Sequence, residues 1–119
     1  MTKTVLIVDD EPANIDLLKG LMPTDYKIKA ALKGEIAIKL VEKAMPDLLF
    51  LDLVMPGLSG FETLEKIRDL PQGESLPVAI VSGNQSEEDI NQGKTLNVIA
   101  HLSKPVKPEQ IQQILNQYL

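Results

Sequence analysis

Two apolar runs in this chain end on aspartate. Thr4-Val5-Leu6-Ile7-Val8 leads into Asp9-Asp10-Glu11, and Leu48-Leu49-Phe50-Leu51 leads into Asp52. A continuous apolar run reads as a strand buried on both faces, as inside a parallel sheet. After Asp52, Met55-Pro56-Gly57 and Ser59-Gly60 break the extended chain and turn it towards a helix. This leaves Asp52 at the carboxyl end of its strand, beside a loop. Open α/β sheets place their active sites at that edge. A carboxylate there can act as a covalent nucleophile, and the chemistry expected of Asp52 is acceptance of a phosphoryl group as an aspartyl phosphate.

The rest of the sequence supplies the elements that must position these acids. Pro12 suits the first position of a helix, and Ile15, Leu18 and Met22 recur at helical spacing before Pro23 stops the run. Tyr26-Lys27-Ile28-Lys29-Ala30 alternates apolar residues with lysine, the pattern of a strand at a sheet margin. Ala37, Leu40, Val41 and Ala44 mark one helical face ahead of Met45-Pro46. A third helix is expected from about Ser59, with Phe61, Leu64 and Ile67 inward and Ser59 and Glu62 spaced as a capping box.

Residues 69–77 read as a surface connection, and Val78-Ala79-Ile80-Val81 as another buried strand ending on Ser82-Gly83-Asn84. Ser86 to Gly93 starts like a capped helix but offers only Ile90 as an apolar anchor, so a short or mobile helix is expected. A weaker strand near 98–102 leads to Ser103-Lys104-Pro105. Ile111, Ile114, Leu115 and Tyr118 then define a last amphipathic helix from Pro108. Five strands alternating with five helices predict a three-layer α/β sandwich, (βα)5, with a parallel five-stranded sheet of flavodoxin-like order 2-1-3-4-5.

At 119 residues the chain reads as one domain, 1–119, with enough length for its own core. Cysteine is absent, which removes disulfides and thiolate metal sites from consideration and agrees with a reducing compartment. The uncharged stretch before Asp9 is too short for a signal peptide or membrane span, so a cytoplasmic protein is expected. A net charge of −5 argues against binding a nucleic-acid backbone.

In the predicted strand order the first and third strands are neighbours at the switch point, so Asp9, Asp10 and Asp52 converge. Three carboxylates in one crevice repel, and a hard divalent cation relieves them; few carboxylates with a backbone carbonyl is the style of Mg²⁺. Such an ion also neutralises charge on a phosphoryl group in transfer. The hydroxyl of Ser82, the amide of Gly83 and the ammonium of Lys104 are the donors available for the other phosphoryl oxygens. Each piece alone has a plainer reading. Asp9 and Asp10 could cap a helix, Asp52 and Ser82 could be turn residues, and Lys104 a solvated lysine. His101 alone reads as a packing or surface residue.

As a set, Val8-Asp9-Asp10-Glu11, Asp52 with Met55-Pro56-Gly57 and Gly60, Ser82-Gly83, and Lys104-Pro105 resemble the receiver domain of bacterial two-component response regulators, over the whole chain. The resemblance implies phosphorylation of Asp52 by a histidine kinase, or from a phosphotransfer protein. It further implies Mg²⁺ held by Asp10, by Asp9 largely through water, by Asp52 and by the Val54 carbonyl. Ser82 and Lys104 would grip the phosphoryl group, with backbone contacts from Val54 and Gly83, and the Lys104-Pro105 bond would be cis. The output partner would dock on the face of the fourth helix, fifth strand and fifth helix.

The chain departs from the family pattern at the switch. His101 stands where receivers usually carry Tyr or Phe, and Val106 where an aromatic often follows Lys-Pro, so His101 is expected to take the switch place and its charge to tune that face. Val54 and Asn84 flank the expected phosphate; an apolar Val54 cannot orient a hydrolytic water, which predicts slow self-dephosphorylation. A flavodoxin-like cofactor carrier would need a phosphate-cradling loop where this chain has Asp-Asp-Glu. A metal-dependent phosphatase would need a second acid where it has Val54. The remaining alternative is a degenerate receiver that binds partners without phosphorylation.

Overall fold

The computed structural model describes residues 2–83 and 85–119. Alternation along three strands builds its two cores. In β1 (Thr4–Val8), Leu6 and Val8 face one side of the sheet while Val5 and Ile7 face the other. β3 (Leu48–Leu51) and β4 (Val78–Ser82) do the same, Leu49, Leu51, Val78 and Ile80 joining the first core and Leu48, Phe50, Ala79 and Val81 the second. Both faces of these strands are thus covered, which is why their sequences are continuously apolar. Fully burying a side chain the size of Leu or Phe stabilises by about 1.5–3 kcal/mol, so this central triplet is where the fold is anchored.

All pairings are parallel and the order is β2-β1-β3-β4-β5, with β2 at Lys27–Ala31 and β5 at Ala100–Ser103. The lysine-bearing β2 takes the margin that its alternation predicts. α2 (Gly34–Lys43) and α3 (Gly60–Arg68) cover the first face with Ala37, Val41, Phe61, Leu64 and Ile67; α1 (Pro12–Gly20) and α5 (Pro108–Tyr118) cover the second with Ile15, Leu18, Ile111, Ile114 and Leu115. Ser59 caps α3 through the expected box, its hydroxyl accepting from the Glu62 amide at 3.2 Å while Glu62 accepts from the Ser59 amide at 2.9 Å.

Several expectations shift at element ends. Ala44 lies past the end of α2 and is exposed, because the chain has already left the helix to reach Pro46. Tyr118 sits in the last turn of α5 and is also exposed. Met22, beyond α1, is buried as expected. α4 (Glu87–Thr95) is as long as α1 and α3, and is capped by Ser86 and Asp89. Ile90 is only half-buried; the buried residue of α4 is Gly93.

The connection after α3 is organised by Arg68, whose guanidinium donates to the carbonyls of Gly73 and Leu76, each at 2.7 Å, and of Leu96 at 2.9 Å and Asn97 at 3.2 Å. One planar cation thereby ties the turn before β4 to the turn before β5. Burial lowers its pKa, and Glu74 opposes that shift.

Candidate functional site

Each principal side chain is placed by a sheet ladder that continues one residue past its strand. The Asp9 amide donates to the Ala31 carbonyl at 3.1 Å, the Asp52 amide to the Val8 carbonyl at 2.9 Å, and the Lys104 amide to the Ser82 carbonyl at 2.9 Å. The three residues therefore stand at the carboxyl edge of the sheet with their backbones fixed, where the switch point between β1 and β3 opens.

Asp9, Asp10 and Asp52 each offer an oxygen to one cluster in which these atoms all lie within 4.8 Å of one another. Asp9 and Asp52 are buried and Asp10 is half-buried. Lys104 reaches in from the end of β5, its Nζ lying 2.9 Å from Asp9 Oδ2 and 3.1 Å from Asp52 Oδ2. Burial alone would lower the lysine's pKa, but the hydrogen bonds and charges of Asp9 and Asp52 outweigh it and hold the ammonium above its ordinary value. Lys104 is thus also the counter-ion of the acid cluster. Three carboxylates against one ammonium still leave excess negative charge, which suits a divalent cation.

The other oxygens of the pair are held locally. Asp9 Oδ1 accepts from the Glu11 amide at 2.9 Å, and Asp52 Oδ1 accepts weakly from the Val54 amide at 3.4 Å. Behind Asp52, Gly60 donates its amide to the Leu53 carbonyl at 2.8 Å, and a Cβ at this glycine would collide with the Asp52 carbonyl. Gly57, at φ 77°, makes the left-handed bend of the same loop.

Asp10, Glu11, Asn14, Asp52, Val54, Ser82, Gly83 and Lys104 line an open cleft of about 560 Å³. Ser82 is buried at the end of β4, Gly83 is exposed, and Val54 stands at 76% exposure. The structure gathers the expected site residues except His101, which lies under α4 away from this cleft; Asn84 falls outside the described residues. Asn14 is the residue that motif reading missed. Its signal was position alone, in the first turn of the helix that follows an acidic strand end. It also borders an adjoining, mostly apolar cavity of about 250 Å³ between α1 and the Lys104-Pro105-Val106 turn, where the Lys104–Pro105 bond is cis.

A doubly wound 2-1-3-4-5 sheet that gathers three aspartates and a lysine at its switch-point edge defines the class of receiver-like α/β domains. The sequence matches the model of the response regulator receiver domain over residues 5–116, and the chain belongs to that family of two-component signalling domains.

A probable cyclic di-GMP phosphodiesterase of Vibrio cholerae is 38% identical over 103 residues, an alignment covering 87% of this chain and 23% of that relative, so the chain spans about a quarter of its length. Among solved structures, the chemotaxis protein CheY4 of Vibrio cholerae superposes with a TM-score of 0.91 at 27% identity over the whole of both chains. The receiver domain of sensor histidine kinase PA1611 from Pseudomonas aeruginosa, which has a magnesium ion coordinated in its active site cleft, superposes with a TM-score of 0.88 at 23% identity, covering 99% of this chain and 98% of that one.

Proposed function

We propose that residues 1–119 form a single receiver domain that accepts a phosphoryl group on Asp52 from the phosphohistidine of a sensor histidine kinase or phosphotransfer protein, and that this modification switches binding of an output partner. The observation that carries this reading is the placement of Lys104 Nζ 3.1 Å from Asp52 Oδ2 within a cluster of three carboxylates. In the reaction an Asp52 oxygen donates its electron pair to phosphorus as the phosphorus–nitrogen bond breaks, and the departing imidazole keeps the bonding pair and takes up a proton. Lys104 then follows the charge from the carboxylate to a phosphoryl oxygen. The Ser82 hydroxyl and the Gly83 and Val54 amides supply the remaining donors. The domain's own chemistry is limited to this transfer and a slow loss of the phosphate.

The donor set fits Mg²⁺, since the clustered Asp9, Asp10 and Asp52 oxygens are hard ligands with net negative charge. These three and the Val54 carbonyl would hold it, and when bound it supplies neutralisation of charge on the transferring group. The ion in the cleft of the PA1611 receiver is consistent with that assignment. The output partner would use the face formed by α4, β5 and α5. Neither membrane nor nucleic acid is a proposed partner: among the described residues no helix is long and apolar enough to cross a membrane, and the net charge is −5.

Incubation with a phosphohistidine-loaded phosphotransfer protein tests the reading. The phosphate gained should be released by hydroxylamine, as an acyl phosphate is, and should not form on Asp52→Asn. A hydroxylamine-stable adduct, or equal labelling of the mutant, would overturn it.

A further inference from the structure

β5 presents Leu102 to the core beneath α1 and α5 and turns His101 the other way, against Gly93 of α4. The ring fits because residue 93 has no side chain; a Cβ there would collide with His101 Cε1. Gln85, in the segment between β4 and α4, spans two points of β5. Its Nε2 donates to the Leu102 carbonyl at 2.9 Å, which fixes the orientation of the amide, so its Oε1 faces His101 Nδ1 at 2.7 Å. A carboxamide oxygen only accepts, so Nδ1 carries the proton and the neutral ring presents a lone pair at Nε2. That Nε2 atom is buried and has no hydrogen-bond partner among the described residues.

The surroundings suit a neutral ring. A second proton would sit on Nε2, where the structure offers it no acceptor. Burial lowers the imidazole's pKa, Lys94 on α4 adds to the shift and Asp89 on α4 opposes it. β4 contributes apolar Ile80 opposite His101, and the α3 cation Arg68 is engaged by the Leu96 and Asn97 carbonyls.

We propose that Gln85 and His101 form a latch, closed while the imidazole is neutral, that holds Gln85 against β5 and links the phosphoacceptor cleft to α4. Both are positioning residues. Gln85 lies three residues beyond Ser82, so a shift of Ser82-Gly83 towards a phosphoryl group on Asp52 strains the amide bridge and frees the ring. By reciprocity, protonating the ring favours the same opened arrangement, and acid and phosphorylation act in one direction on the α4 face. The link to the cleft rests on the phosphoacceptor reading; the latch itself does not.

The chain has a single histidine, so nitrogen-detected NMR of the imidazole reads the latch without ambiguity. In the free protein the expected result is the Nδ1-H tautomer with a titration midpoint below the ordinary imidazole value. Gln85→Ala should lose that fixed tautomer, and Gly93→Ala, which displaces the ring, should move the midpoint up. Adding beryllofluoride with Mg²⁺, a phosphoryl mimic, should also shift the midpoint up. An Nε2-H tautomer in the free protein, or a tautomer indifferent to Gln85→Ala, overturns the latch. Bound beryllofluoride, detected by fluorine NMR, with an unmoved midpoint overturns the coupling. Failure of beryllofluoride to bind instead counts against the phosphoacceptor reading, and the tautomer of the free protein still decides the latch.

Discussion

Lys104 Nζ and Asp9 Oδ2 meet at 2.9 Å although 95 residues separate them in the chain. The contact joins the end of the last strand to the end of the first, and the same ammonium also reaches Asp52. Lys104 therefore neutralises part of the acid cluster and competes for the carboxylates that a divalent cation would use.

Removing that competitor has an expected sign. Lys104→Met should tighten Mg²⁺ binding by about tenfold, equivalent to about 1.4 kcal/mol, because a like charge leaves the site. The same variant should fail to hold a phosphoryl group. Calorimetric titration of the two proteins with Mg²⁺ checks this, and equal or weaker binding by the variant would show that Lys104 does not oppose the ion.

On the proposed phosphoacceptor reading, Val54 sets the expected lifetime of the aspartyl phosphate. Its side chain stands 76% exposed at the mouth of the cleft and has no polar atom to align a water. Val54→Asn supplies one and is expected to shorten the aspartyl phosphate lifetime several-fold, measured as decay of the phosphorylated species after donor removal. An equal or longer lifetime contradicts the account.

Two glycine replacements should act in opposite directions. Gly60→Ala drives a methyl into the Asp52 backbone carbonyl, and is expected to destabilise by about 1–3 kcal/mol and to misplace Asp52. Gly20→Ala meets nothing within 4 Å at the end of α1 and should stabilise by about 0.5–1 kcal/mol. Urea unfolding of both variants provides the comparison.

The folded state also disfavours a charged His101. Burial, then Lys94, holds its folded pKa below the unfolded value of about 6.5, with Asp89 opposing. The unfolded chain therefore binds more protons in the window below 6.5, so stability is full above that value and is lost as pH falls towards the folded midpoint. His101→Phe should flatten that part of the stability profile. An unchanged slope would place its origin in other groups.

The strand order and the acid cluster were legible because buried parallel strands leave continuous apolar runs and because Asp9, Asp10 and Asp52 follow such runs directly. β2 was legible from its lysines. Ala44 and Tyr118 misled because helical periodicity continues on paper past the point where the backbone turns away or the core ends. Arg68 stood out in no sequence pattern; its role depends on carbonyls from two separate turns, a convergence that no local pattern encodes. The partnership of Gln85 and His101 was hidden for the same reason. His101 could be placed at the switch position by resemblance, but its hydrogen bond and its fit against Gly93 arise only when α4 packs over β5.

The phosphoacceptor assignment of Asp52 is tested most directly by intact mass after incubation with Mg²⁺ and acetyl phosphate, with Asp52→Asn treated in parallel. One added phosphate that requires the metal and is absent from the variant is the expected result. A folded wild-type protein that gains no phosphate under conditions that load another receiver would contradict it, and would leave a domain that binds its partners without phosphorylation.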